Sequence, residues 1–389
     1  MHHLRINRHK ISSYFCGFIS LLIMSAIFFS LTNNVLYYRV ESYVGIISFV
    51  VTAPLFLLYL RWKIKDVNSI AIFVLVALFT TIINPYASFG SFLSLLTSLL
   101  MMQNLSRAEM PKVLVKFHII LLVAFIIYSF YYSLIYRADW WYLSHNYIGA
   151  NIWGRCACFS AILLTILSEH FMFEKKVLNI IFMVIATVAI LYFKSRGSLI
   201  CIIFFFLLYL IPYVPKDRKM IKRVFVISFL ICICVPIVAV IIGPLFSADD
   251  IFGKSLFSGR DLIWKSIFIG FAENPIGILF GLGANKLEAG TYSGFVHNNL
   301  YGIIVNYGLF GLFIYTRMLY SIIKKKSSYI INNRANWHAY IAVITFVFIL
   351  GTTEITSLWV VETWFCYLGL GLIIQKPNAR YSNKGVKGI

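Results

Sequence analysis

His297 stands at the head of the apolar run SGFVHNNLYGIIVNYGLFGLF, with Asn298 and Asn299 directly behind it. A titratable ring at the mouth of such a run can take a proton from a hydroxyl group. A second chemically loaded stretch is KSRG, which sets Arg196 in a tight turn between two apolar runs. A guanidinium grips phosphate bidentately, and a neighbouring glycine lets backbone come near, so KSRG resembles an anion site. Arg155 lies inside another apolar run, and Arg260 and Asp261 are adjacent in a long connection. Ionisable groups in or beside apolar spans are costly, so each is a functional candidate. Plainer roles stay open: a turn anchor for Arg196, a loop-bonded ring for His297, and a carboxylate partner such as Glu354 or Asp261 for Arg155.

What is missing narrows the chemistry. No Asp-x-Asp for a divalent metal occurs, and the adjacent pair Asp249 and Asp250 reads as a solvated turn. No His-Glu-x-x-His, Gly-x-Ser-x-Gly or phosphate-binding P-loop is present. The expected reaction uses no metal and no cofactor and draws on a substrate that is already activated. The seven cysteines all lie in apolar runs with no zinc spacing, and they read as small apolar fillers.

These residues must be positioned by helices in a bilayer. The chain has 389 residues, 60% of them hydrophobic and 12% charged, far fewer charges than a soluble domain carries. Apolar runs of about 16 to 25 residues recur along it, and in lipid such runs must be helices, since barrel strands are short and alternating. The expected fold is an all-α polytopic membrane protein forming a single domain over 1–389. It has about twelve spans, at 12–32, 44–60, 69–84, 87–102, 113–136, 150–171, 177–193, 197–214, 224–243, 297–321, 339–354 and 357–375. The first span lacks a small-residue cleavage site and reads as a retained helix.

Lys and Arg set the orientation. With the N-terminus inside, 25 of the 34 basic residues fall in cytoplasmic segments and eight in outer ones, as the positive-inside rule requires. Both termini are then cytoplasmic. A charge of +20 confined to short loops argues against a nucleic-acid partner. The long outer connection, 244–296, contains SGRDLIWKSIFIGF, in which Arg260, Trp264, Ile267 and Phe271 share a helical face. It reads as an interfacial helix, followed by the turn-rich ENPIGILFGLG. The outer loop 137–149 is rich in Trp and Tyr and suits the headgroup belt. In one continuous helix His297, Tyr301, Ile304, Gly308 and Gly311 would also share a face, small at its lower end, where a helix or a lipid chain can come close.

KSRGSLICIIFFFLLYL, then SGRDLIW and ENPIGILFGLG, then HNNLYGIIVNYGLFGLF make a set of landmarks in order. With them the sequence resembles the bacterial O-antigen polymerase and O-antigen ligase superfamily, in detail over about 190–315. The resemblance implies a bacterial inner-membrane glycosyltransferase working at the periplasmic face on an undecaprenyl-diphosphate-linked oligosaccharide. It carries Arg196 and Arg260 over as the groups on the diphosphate, and His297 as the base on the acceptor hydroxyl. Asn298 and Asn299 would orient His297 or bind sugar hydroxyls. Arg155, Asp261, Trp264 and Tyr301 complete the candidate substrate-binding set, and the prenyl chain would lie along the Gly308/Gly311 face. The expected activity is a polysaccharide polymerase, with a chain-length regulator as a candidate partner beside the lipid bilayer. The alternatives are an O-antigen ligase and, from another class, a transporter of polysaccharide or lipid-linked sugar.

Overall fold

The computed structural model describes residues 8–31, 43, 46, 50, 68–84, 92–93, 96, 99, 110–135, 150–171, 176–211, 214–215, 217–245, 257, 259–283 and 296–353. Among these there is no strand. The helices are α1 (Arg8–Ser30), α2 (Asn68–Ile83), α3 (Lys112–Ile135), α4 (Ala150–His170), α5 (Lys176–Tyr192), α6 (Arg196–Leu210) and α7 (Arg218–Ile242). They continue with α8 (Arg260–Glu273), α9 (Pro275–Phe280), α10 (Asn299–Asn332) and α11 (Arg334–Ile344), and α11 runs on as a π-helix, Thr345–Ile349, and a 3-10 turn, Leu350–Thr352. The expected spans 44–60 and 87–102 are described only at isolated positions. The span 357–375, the loop 137–149, Glu354 and the pair Asp249 and Asp250 lie outside the described residues.

Five of the helices are long and apolar enough to cross a membrane: Lys112–Leu134, Asn151–His170, Arg218–Leu245, Asn299–Ile331 and Arg334–Thr352. Their positions differ in kind. The most apolar window of α4 is 94% buried and that of α7 only 28%, so α4 is a central helix and α7 turns most of its surface to the lipid. Large apolar side chains such as Ile227, Ile231, Ile237 and Ile241 are exposed along α7, as an outer helix in a bilayer requires. On the central side, Trp153 of α4 stacks with Tyr132 of α3 at 4.4 Å between ring centres. Phe159 packs on Phe346 of the π-helix at 4.6 Å.

Two local readings change. The segment ENPIGILFGLG is not a string of turns. Asn274 caps a short helix, α9, by accepting from the Gly277 amide, and Pro275 fits the first helical position. The long run after His297 is not one regular helix either. Gly308 adopts φ 68°, ψ −173°, and the helix breaks there. The break admits α9: the Leu279 carbonyl lies where a Cβ on Gly308 would stand. A Cβ on Gly281 would lie 2.6 Å from the Asn306 carbonyl oxygen, and the Gly283 amide donates to Val305 O at 2.8 Å. The small-residue face is therefore filled by protein at Gly308, not open to a lipid chain.

Candidate active site

Every candidate residue among the described ones lies at the end of the bundle where α6, α8 and α10 begin. Arg196 is the first residue of α6 and Arg260 the first residue of α8. A cation at a helix N-terminus faces the positive end of the macrodipole, an arrangement that costs about 0.3–1 kcal/mol when exposed. The two helices also have no side-chain cap: Ser195 gives its hydroxyl to Ser198 Oγ instead, and the cap position of α8 is Gly259. By contrast, Asp217 caps α7, Asn274 caps α9, Asn298 caps α10 and Asn333 caps α11. Arginine also heads α7 and α11, but those two are capped; α6 and α8 keep their first-turn N–H groups clear of side-chain caps, and such groups bind anions.

The charge of Arg260 is felt at Arg196. Burial, and after it the positive charge of Arg260, holds the Arg196 guanidinium below its ordinary pKa. A guanidinium at a helix N-terminus suits an anion.

A circuit of contacts ties these groups to His297. Gly154 of α4, next to the buried Arg155, packs so closely on Ser195 that a Cβ there would collide with it. Gly197 meets the Thr353 hydroxyl in the same way, so that glycine serves close packing of the chain after the 3-10 turn. One turn beyond Arg260, Trp264 is 1% exposed, and its indole N–H donates to Val296 O at 2.7 Å, fixing the residue before His297. Tyr301 is buried and stands edge-on to Phe268 of α8 at 5.5 Å, a second tie between α8 and α10. Asp261 turns to the end of α7, where its Oδ2 would be 2.9 Å from a Cβ on Gly243.

His297 itself is half-buried and has φ 48°, a left-handed conformation uncommon outside glycine. It precedes α10 and is not its first residue, since the helix starts at Asn299 behind the cap Asn298. Asn298 and Asn299 are both 0% exposed. The Asn298 amide donates to Cys232 O at 2.9 Å and to Thr352 O at 3.3 Å, while its Oδ1 accepts from the Tyr301 amide at 3.0 Å. The Asn299 amide donates to Val347 O in the π-helix at 3.0 Å. Both side chains are thus buried and bonded into the scaffold around His297.

Residues 181–316 match the O-antigen ligase family. The matched segment covers about a third of the chain and supports the O-antigen polymerase and ligase superfamily for it. It runs from α5 into α10 and contains Arg196, Arg260 and His297, so the family segment carries both uncapped helix starts and the strained histidine. Gly154 and the turn at 350–353 lie outside that segment and pack on it, and Arg155 lies outside it too. Neither the comparison with curated proteins nor that with solved structures gives a match.

Several parts of the candidate site went unread in the sequence: Ser195 and Gly154, Val296 under Trp264, and the carbonyls of Cys232 and Thr352. One of them had a signal. Pro236 inside α7 has no N–H, so the Cys232 carbonyl four residues earlier has no helical donor, and some other donor must serve it. A cleft of about 450 Å³ also borders the family segment between α2 and α9, walled by Phe79, Ile83, Ile276 and Phe280, with the Asn84 and Asn274 side chains in its lining.

Proposed function

We propose that this chain is a polymerase of O-antigen or a related repeat-unit polysaccharide. It would transfer a glycan from undecaprenyl diphosphate to a sugar hydroxyl of another lipid-linked repeat unit. The observation that carries the reading is that Arg196 and Arg260 each head an uncapped helix and that Trp264, one turn beyond Arg260, ties α8 through Val296 to His297, all inside the matched segment. Neutral His297 takes the acceptor hydroxyl proton as that oxygen bonds to the anomeric carbon. The bond from that carbon to the diphosphate oxygen breaks, and undecaprenyl diphosphate leaves with the electron pair. Arg196 and Arg260, with the helix N–H groups, offset the negative charge that develops on it. The donor arrives activated, so the step needs no metal or cofactor.

The lysine and arginine distribution supports an inner-membrane chain with about twelve spans, both termini in the cytoplasm and the site in the periplasm, in part on the 244–296 loop. The donor's hydrocarbon tail needs an apolar groove, and the cleft between α2 and α9 has that character. The second reading is a ligase that delivers the finished glycan to lipid A–core, favoured by the description of the matched family. The lipopolysaccharide of a deletion strain separates the two. Single-repeat lipopolysaccharide supports the polymerase, bare core with polymer left on the carrier supports the ligase, and an unchanged ladder removes both.

A further inference from the structure

Helix α7 runs on through Pro236, and that proline leaves the Cys232 carbonyl without the N–H that a regular helix supplies. That carbonyl is not left unsatisfied. The buried Asn298 amide donates to it at 2.9 Å, and the second contact of the same amide reaches Thr352 O at 3.3 Å. Asn298 thus joins three elements at one point: the carbonyl of α7 that Pro236 leaves without a helical donor, the turn at 350–352, and the junction that carries His297. The turn leads to Thr353, which packs on Gly197 beside Arg196. A distance fixed at Asn298 is therefore carried to both sides of the candidate site.

The other wall of the junction is equally specific. Gly351 stands between Asn299 and Cys232, its own Cβ position 3.0 Å from Asn299 Cβ and 3.5 Å from Cys232 Sγ. The Asn299 amide meets Val347 O, a carbonyl of a π-helical turn, a structure rare outside functional sites. Two irregular helices, each with a displaced or undonated carbonyl, meet two consecutive asparagines. His297 immediately before them holds φ 48°, which persists only where the surroundings over-determine it.

We infer that Pro236 and Asn298 form one positioning unit: the proline, lacking an N–H, leaves the Cys232 carbonyl open, and Asn298 uses it to set His297 in register with Arg196. This rests on the reading of His297 as the base. Neither residue touches the reacting atoms. The unit acts through His297, so it should govern kcat and leave KM little changed.

The test uses the full chain in proteoliposomes with an undecaprenyl-diphosphate-linked repeat unit, alongside thermal unfolding in detergent. Asn298→Ser keeps a capping oxygen and removes the amide donor. It is expected to lower Tm and to lower kcat at least tenfold. Pro236→Ala returns an N–H to the Cys232 carbonyl in competition with Asn298, and is expected to hold or raise Tm while lowering kcat severalfold. The double variant should recover the Tm lost by Asn298→Ser, because the backbone N–H restored by Pro236→Ala now serves the carbonyl, yet stay as slow as Asn298→Ser. Recovery of kcat along with Tm would show that Asn298 only fills a hydrogen bond, and overturns the inference. So does a wild-type kcat in either single variant. His297→Ala separates the two levels: if it transfers glycan at the wild-type rate the base reading fails, whereas the thermal coupling of Asn298 and Pro236 is read independently of it.

Discussion

The carbonyl of Leu279 occupies the space beside Gly308 that any larger residue would fill with its Cβ. Gly308 also has φ 68° in the middle of α10, so both space and backbone demand glycine there. Through this contact α9 sits in the break of α10, and α8, directly before α9, brings Arg260 and Trp264 to the candidate site.

Gly308→Ala is therefore expected to cost about 2 kcal/mol or more, from overpacking and backbone strain together. Gly259 is the control. Its φ is 77°, but among the described residues nothing lies within 4 Å of its Cβ position, so Gly259→Ala is expected to carry the strain alone, about 1–2 kcal/mol. Tm in detergent should rank Gly308→Ala clearly below Gly259→Ala. Equal values would mean that the α9 contact does not set the break.

Replacing Arg196 or Arg260 should separate activity from stability. Arg196→Gln removes a cation from a helix N-terminus and from the field of Arg260, so Tm is expected to hold or rise. Transfer should fall by about 10²-fold, the usual loss on removing one donor to developing charge. Lysine at either position should recover little of the rate, because it lacks the bidentate fork. A variant that loses Tm and rate together would make Arg196 a structural anchor.

Trp264→Phe keeps the ring packing and removes the N–H that donates to Val296 O. A buried carbonyl left without its donor costs about 1–3 kcal/mol. The release of the residue before His297 should lower kcat with little effect on KM. Unchanged kinetics would show that His297 is held without this tie.

The opposite end of the bundle supplies a pair that should matter to the fold alone. His338 Nδ1 lies 2.6 Å from Glu169 Oε2, joining α11 to α4, and the Tyr209 ring packs on His338 at 4.9 Å. A double-mutant cycle of Glu169→Ala and His338→Ala should give a coupling of about 1–3 kcal/mol, with the transfer rate per folded molecule unchanged. A large drop in kcat at full Tm would connect this end to catalysis.

The helices were legible because lipid leaves the backbone one solution, and the runs around α3, α4, α5 and α7 fall within a few residues of their expected limits. The face shared by Trp264, Ile267 and Phe271 was legible for the same reason of period, and it is the buried face of α8. Arg196, Arg260 and His297 stood out as charges that a bilayer tolerates poorly. What periodicity cannot carry is the partner of a buried polar group. Asn298 read equally as a group that orients His297 or one that meets a sugar, because nothing in HNN shows that its amide is bound to a carbonyl 66 residues earlier. Gly308 read as one more helical position, because its conformation is set by α9 and not by its neighbours in the run. ENPIGILF read as turns because Asn and Pro punctuate loops, although the same pair also begins helices.

The most direct measurement is the single-turnover rate of glycan transfer by purified His297→Ala protein in proteoliposomes, with an undecaprenyl-diphosphate-linked repeat as donor and acceptor. A general base contributes about 10²–10⁴-fold, so the rate should fall by at least 10²-fold while Tm stays at the wild-type value. Transfer at the wild-type rate by a fully folded His297→Ala chain would contradict the assignment of the proton to His297 and the site built around it.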